Sequence, residues 1–410
     1  MKIKAFLIGL LCSFWAQSQN QLGLNLSNYA GVNGLSLNPA SFQMGRMDWD
    51  VNLISAGAFV ENQYAYIENT STLHLLSNHD LMLIERTSEP SLTLQSNQLY
   101  YGFNKPTRKM SNSQNAFAMS PAFASRINKQ FSLGLYYKAR SAFSANKLDT
   151  DLSKPETDNW ANGTSKVFSP LHSASMVWSE IALNLAIQSR KSSRKNSAWG
   201  INLKYLLGHK AAYFSSANTA TVTPTENEYL LSGFPVDFGE AGLEESSSLI
   251  TGKGLAFDLG YVFRKEKWNS EDYKYKFSAS LLDVGFIRFN NATNDYHLNE
   301  DALYSVNREA LSDVDNLDDL AVLLQSEAAN NDAVIQRSAF TMLLPTAINL
   351  QLDWNIKPKI FLNATLNQRI AFSKSRVERE NFMAVSARYE TKWFEFGVPI
   401  VLWETRDLRA

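Results

Sequence analysis

Apolar and polar or small residues alternate along this chain over stretches longer than a soluble strand. Leu255, Phe257, Leu259, Tyr261 and Phe263 fall on one side of an extended segment, and Ala256, Asp258, Gly260 and Val262 on the other. Successive side chains of a strand point to opposite faces, so such a segment has one apolar and one polar face. The pattern returns at 131–140, 177–188, 199–207, 348–354 and 394–402. It recurs more weakly at 49–66, 92–104, 116–127, 273–289, 359–371 and 381–390. Many of these segments run to about 10 to 14 residues, where a soluble strand is typically about five or six. A transmembrane strand tilted at about 45° needs roughly 9–11. Length therefore favours a membrane barrel over a secreted sandwich or propeller, where the same alternation means core-in and water-out.

The connections are unequal. Those at 128–130, 191–196, 264–272 and 357–359 are short and polar, whereas 145–175, 224–252 and 290–338 are long. Short periplasmic turns and long outer loops are the pattern of outer-membrane barrels. Tyr136, Tyr137, Tyr205, Tyr261, Phe263, Trp354, Trp393 and Trp403 lie towards strand ends, as interface girdles would. The acidic segment 308–329 reads as a helix in a long outer loop, with Ser312 as its N-cap. Segment 67–90 reads as a short helix or a poorly patterned strand.

At the start, Lys2 and Lys4 precede an apolar run from Ala5 to Trp15 and the small residues of Ala16-Gln17-Ser18. This is the make-up of a secretory signal peptide, expected to span 1–18. The only cysteine, Cys12, lies within it, so the exported chain would hold no disulfide and no thiolate site. The net charge of -1 gives no argument for nucleic acid as a partner.

None of His74, His79, His172, His209 and His297 is expected mid-strand on a polar face beside a serine, and no nucleophile elbow or phosphate-binding glycine loop occurs. The expectation is a protein that is not an enzyme, with no catalytic residue, cofactor or metal. The acidic run Asp313 to Asp319 lacks the glycine and glutamate of a calcium loop and reads as a helix start. The polar strand faces carry Lys138, Arg140, Glu180, Asn184, Lys204, Asp258, Asp353, Arg369 and Arg388. In a barrel these line the lumen, hydrated or paired, because a lone buried charge is costly. Pro121, Pro345 and Pro399 interrupt strands and mark kinks, bulges or strand ends.

After the signal segment the chain reads Asn28-Tyr29-Ala30-Gly31-Val32-Asn33-Gly34-Leu35, then Leu37-Asn38-Pro39-Ala40-Ser41, then Asp50-Val51-Asn52-Leu53-Ile54. This resembles the opening of an uncharacterised family of outer-membrane β-barrels from Bacteroidota. Tyr137 to Ser141, Asp283 to Ile287 and Leu344-Pro345 add to the resemblance. The Asn38-Pro39-Ala40 element is also similar to the start of FadL-type hydrophobe transporters and of PorV-type barrels of the type IX secretion system.

The resemblance implies an all-β fold: an antiparallel transmembrane barrel of about 14 strands over 47–410, set in lipid of the outer membrane. It implies that 19–46 is a plug in the lumen, with Asn38, Pro39 and Ala40 at its heart. Such barrels commonly end on an aromatic residue in a closing strand. This chain ends Glu404 to Ala410, which suggests a truncated C-terminus. Passage of a small hydrophobic compound is the function implied first. The alternative is a non-transporting scaffold that docks an outer-membrane or secreted protein partner. A continuous apolar path through the lumen would favour passage, and a lumen packed with paired charges would favour the scaffold.

Overall fold

The computed structural model describes residues 28–62, 65–67, 82–85, 98–103, 110–148, 162–192, 194–216, 218–232, 236–243, 248–267, 273–298, 304–312, 317–327, 334–373, 375–391, 395–404 and 407–409. The expected signal peptide, His74, His79, Trp393 and most of the Asp313 run lie outside them.

The described residues open inside the lumen with a 3-10 turn, Gly31–Ser36. The first wall strand is bent into β1 (Trp49–Asn52) and β2 (Ser55–Asn62), which both pair with one later strand. Next come β3 (Ala65–Ile67), β4 (Met82–Glu85) and β5 (Gln98–Phe103). These form a small separate sheet in which β4 and β5 are parallel, so the described part of the expected strand at 92–104, β5, lies outside the wall.

The wall resumes with β6 (Met110–Arg126) and β7 (Phe131–Leu148). After β8 (Lys166–Phe168) come the longest strands, β9 (His172–Lys191) and β10 (Lys195–Ser216). Then follow β11 (Ala220–Pro224), β12 (Glu228–Ser232) and β13 (Val236–Ala241). The next wall hairpin is β14 (Gly252–Glu266) and β15 (Tyr273–Phe289). It leads to β16 (Thr293–Leu298), β17 (Tyr304–Asn307), helices α1 (Arg308–Ser312) and α2 (Leu317–Ser326), and β18 (Val334–Arg337).

The wall then continues through β19 (Phe340–Leu343), β20 (Ala347–Lys357), β21 (Ile360–Arg369), β22 (Phe382–Glu390) and β23 (Glu395–Trp403). Three residues of β24 (Asp407–Arg409) pair with β23. Pairing is antiparallel between sequential wall strands, with β10 meeting β14 below and β13 above. Likewise β15 meets β20 below and β19 above.

This sheet curls into a barrel around the N-terminal segment. Residues 28–46 touch β14, β15, β9, β10 and β22 through hydrogen bonds. Phe59 of β2 stacks on Trp403 of β23, ring centroids 4.7 Å apart, so side chains from the first and last long wall strands meet.

Outside, the alternation sets a belt of exposed apolar side chains. One row runs through Leu135, Leu183, Leu203 and Phe257 in register across β7, β9, β10 and β14. Leu135, Leu183 and Leu203 are exposed, as are Leu255, Leu352, Val385 and Ile400 farther round. A contiguous apolar surface of this extent is not tolerated in water. At the short-turn rim Trp199 and Tyr261 lie 4.6 Å apart and Trp354 is exposed, as in an aromatic girdle. Tyr136 and Trp403 do not join it: both are 1% exposed and face inward. With this belt in lipid, Leu183→Arg is expected to cost about 2–4 kcal/mol. Urea unfolding in phospholipid vesicles measures it, and an unchanged midpoint would remove the belt from the bilayer.

At the long-loop end the connections are built. Sheet β8-β11-β12-β17 and helix α2 enclose a second core of Phe238, Tyr296, Leu298, Tyr304, Val306, Ala321 and Leu324. The expected single helix over 308–329 is two, and Ser312 is the last residue of α1 rather than an N-cap. The residues described from 67–90 include strand β4 and no helix.

Candidate functional site

The plug is fixed by bonds that run largely through side chains. Asn38 donates from Nδ2 to the carbonyls of Tyr261 and Ala279, while its Oδ1 accepts from Ala40 N at 2.9 Å. Asn184 donates to the Pro39 carbonyl at 3.0 Å, Asn202 to Leu35 at 2.9 Å and Ser280 to Leu37 at 2.7 Å. Near the short turns, Arg126 donates to Gln43 and Gly45, and Arg264 to Met44. Asn28 closes the rim by donating to the Glu390 carboxylate and to Tyr273 Oη.

The Asn38-Pro39-Ala40 turn presses against two wall glycines that face each other across β10 and β14. A Cβ on Gly200 would stand 2.4 Å from Pro39 C, and one on Gly260 2.3 Å from Asn38 Oδ1. Only residues without side chains leave room there.

Above the plug lies a layer of paired charges. Asp283 is its hub, taking Arg140 at 2.9 Å, Lys204 at 2.7 Å and Arg379 at 2.5 Å. Lys204 also pairs with Asp258 at 2.7 Å, and Arg140 with Glu180 at 3.4 Å. A second group at the short-turn end joins Arg388 to Asp353 and Glu390, beside Tyr273. Arg369 pairs with Glu378 and Glu404 at the opposite end. Asn184 bonds Asn202 as well as the plug. Lys138 is 7% exposed, and among the described residues it has neither an ion pair nor a hydrogen bond. Its ammonium lies 4.6 Å from the Phe117 ring centroid.

Segment 370–381 folds inward and closes the lumen from the other side. Arg376 makes a parallel bridge to Leu343, and its carbonyl meets His172 Nε2 at 2.8 Å. Glu378 takes a hydrogen bond from Asn146, and Glu380 from Ser113 and Asn115. Burial raises the Glu380 carboxyl above its ordinary value. Val377 joins an apolar cluster with Met176, Trp178, Ile287, Phe289 and Met342 that fills the outer half of the lumen. Between plug and inward segment remains a cavity lined by Leu37, Phe117, Lys138, Arg140, Arg379 and Phe382.

The chain matches the family described as "Family of unknown function (DUF5723)" over residues 39–408. The chain belongs to the DUF5723 family. No curated protein matches it. Among solved structures it is similar to the TodX monoaromatic hydrocarbon channel deltaS2 mutant, at 7% identity and a TM-score of 0.29. That likeness covers 91% of the DUF5723 chain and 88% of the channel.

Several polar residues of this DUF5723 barrel escape a reading by alternation. Asp283 has the parity of the outward Phe277 and Leu281, yet it points inward. A bulge sets two residues, Leu282 and Asp283, opposite Asp258, with Asp283 at φ 56°. Arg379, Glu378 and Glu380 sit on a connection with no periodicity. His209 follows the alternating run 199–207, and a bulge between Gly208 and Lys210 places it on the outer face, 2.8 Å from Ser179 Oγ. Of the prolines, Pro121 falls at a register break in β6 between Met119 and Ala122, and Pro345 between β19 and β20. Pro399 stands within β23 opposite Ser386.

Proposed function

We propose that this DUF5723 protein is an outer-membrane barrel that admits a small compound, largely apolar with a polar end, through a lumen gated on both sides. The cavity between plug and inward segment carries this reading. Its walls are mixed: Leu37, Phe117 and Phe382 offer apolar surface, while Lys138 brings a buried cation with no ion pair or hydrogen bond among the described residues, held over the Phe117 ring. A buried charge is costly unless compensated, and a polar group on a bound compound would compensate it. The plug is anchored mainly through side-chain hydrogen bonds, each worth about 0.5–1.5 kcal/mol net. It can withdraw without breaking the wall ladder.

A second reading, a docking scaffold, draws on the ordered outer cap with its own apolar core and on the charge layer. Purification from membranes in mild detergent, followed by mass spectrometry, separates the two. A stoichiometric small molecule supports passage. A stoichiometric protein partner with no small molecule supports docking, and absence from the outer-membrane fraction overturns both.

A further inference from the structure

Ser179, His209 and Tyr137 form a hydrogen-bonded chain on the outer face of the wall. Their neighbours Val177, Ile181 and Tyr205 share that face and are exposed, while Ser179 itself is only 3% exposed, under the Tyr137 hydroxyl. Tyr137 Oη donates to Ser179 Oγ at 2.8 Å. Ser179 Oγ lies 2.8 Å from His209 Nε2, and His209 Nδ1 lies 2.7 Å from the Leu249 carbonyl. A carbonyl can only accept, so Nδ1 carries the proton and Nε2 is the acceptor for the serine hydroxyl. A nucleophile, a base and a group that orients the base thus stand at the separations such a unit requires.

His209 owes its place to the bulge beside Gly208, and Thr251 locks that bulge by bonding to the Gly208 and His209 carbonyls. Bulges that re-aim a side chain are frequent next to active sites. Ser179 lies about a dozen residues from the short-turn end of β9 at Lys191. A tilted strand needs roughly 9–11 to cross a bilayer, which puts the serine at the outer boundary of the apolar belt. Acyl esters of membrane lipids are concentrated at that depth, and water reaches it from outside.

We infer that Ser179 and His209 form a serine-hydrolase site on the outer wall that cleaves acyl esters of the surrounding lipid. Ser179 Oγ attacks the ester carbonyl while His209 Nε2 takes its proton. The tetrahedral intermediate collapses as the C–O bond to the alcohol breaks, and His209 returns the proton to the leaving alkoxide. Water, activated by the same histidine, then hydrolyses the acyl-serine to a free fatty acid and restores the hydroxyl. Tyr137 covers Ser179 in the resting arrangement; its hydroxyl passes from the serine to the oxyanion as the ester enters. This activity does not rest on passage through the lumen.

The test uses the full-length protein in mild detergent, treated with a fluorophosphonate probe and mapped by mass spectrometry. In parallel, fatty-acid release is followed from phosphatidylethanolamine vesicles. The probe is expected on Ser179 in the wild type and absent in Ser179→Ala. His209→Ala should slow labelling and release by about 10²–10⁴-fold, the usual contribution of a general base. Heat-dependent gel mobility verifies that each variant is folded, and His209→Gln serves where alanine is not. An unlabelled wild type, or release unchanged in Ser179→Ala, overturns the site.

Discussion

Gly260→Val is expected to unseat the plug and open the barrel to ions. The new Cβ would stand 2.3 Å from Asn38 Oδ1 and 2.7 Å from Pro39 Cδ, inside any allowed contact. The wall cannot retreat, because Gly260 is held between Gly200 on β10 and Ser280 on β15. The plug must therefore move, losing the Asn38 bonds to Tyr261 and Ala279. Overpacking a close contact costs about 1–3 kcal/mol, and each lost hydrogen bond about 0.5–1.5. The sum shifts the seated fraction by an order of magnitude or more, at about 1.4 kcal/mol per factor of ten. Planar-bilayer conductance and limited proteolysis within 28–46 measure the effect. Gly397→Val is the control, since its Cβ would meet nothing closer than 3.5 Å. A Gly260→Val barrel as silent and as protease-resistant as the wild type would show that fit at this turn does not hold the plug.

Asp283→Asn is expected to destabilise the folded barrel by about 3–5 kcal/mol, the usual penalty for breaking a buried ion pair from one side. Arg140, Lys204 and Arg379 all direct donors at this carboxylate, and Lys204 and Asp283 are almost fully buried. Asparagine keeps the shape and tolerates the left-handed backbone at φ 56°. The substitution therefore removes charge and leaves the bulge in place. Arg140 retains Glu180 and Lys204 retains Asp258, so Arg379 loses most and the inward segment loosens first. The temperature at which the folded band disappears on an unboiled gel reports the loss. An unchanged temperature would mean that the three cations are compensated elsewhere.

Much of the wall was legible in the residues. Where side chains alternate as in Leu255 to Phe263 or Ile348 to Trp354, the strand, its two faces and its lipid side follow directly, and β14 and β20 cover these segments. Strand ends were less legible: β9 and β10 run well beyond the alternating cores at 177–188 and 199–207, because their outer parts pair above the belt. Of the nine polar residues read from strand faces, Lys138, Glu180, Asn184, Lys204, Asp258, Asp353 and Arg388 are buried, and Arg140 and Arg369 are half-buried. Asp283 and His209 could not be found that way, since a single extra residue in a bulge inverts which side the chain presents. Arg379 and Glu380 carry no periodic signal, and they reach the lumen only because segment 370–381 turns back into it.

By itself the sequence determined that the chain forms long antiparallel strands with one apolar and one polar face. That property is local, fixed by how a strand's backbone alternates its side chains. The tertiary structure alone decided which polar groups meet. Asn38 is more than 220 residues from Tyr261, and Arg140 more than 140 from Asp283. Such partners are chosen by strand register, by bulges and by the curl of the sheet around the plug, none of which is encoded in any one segment.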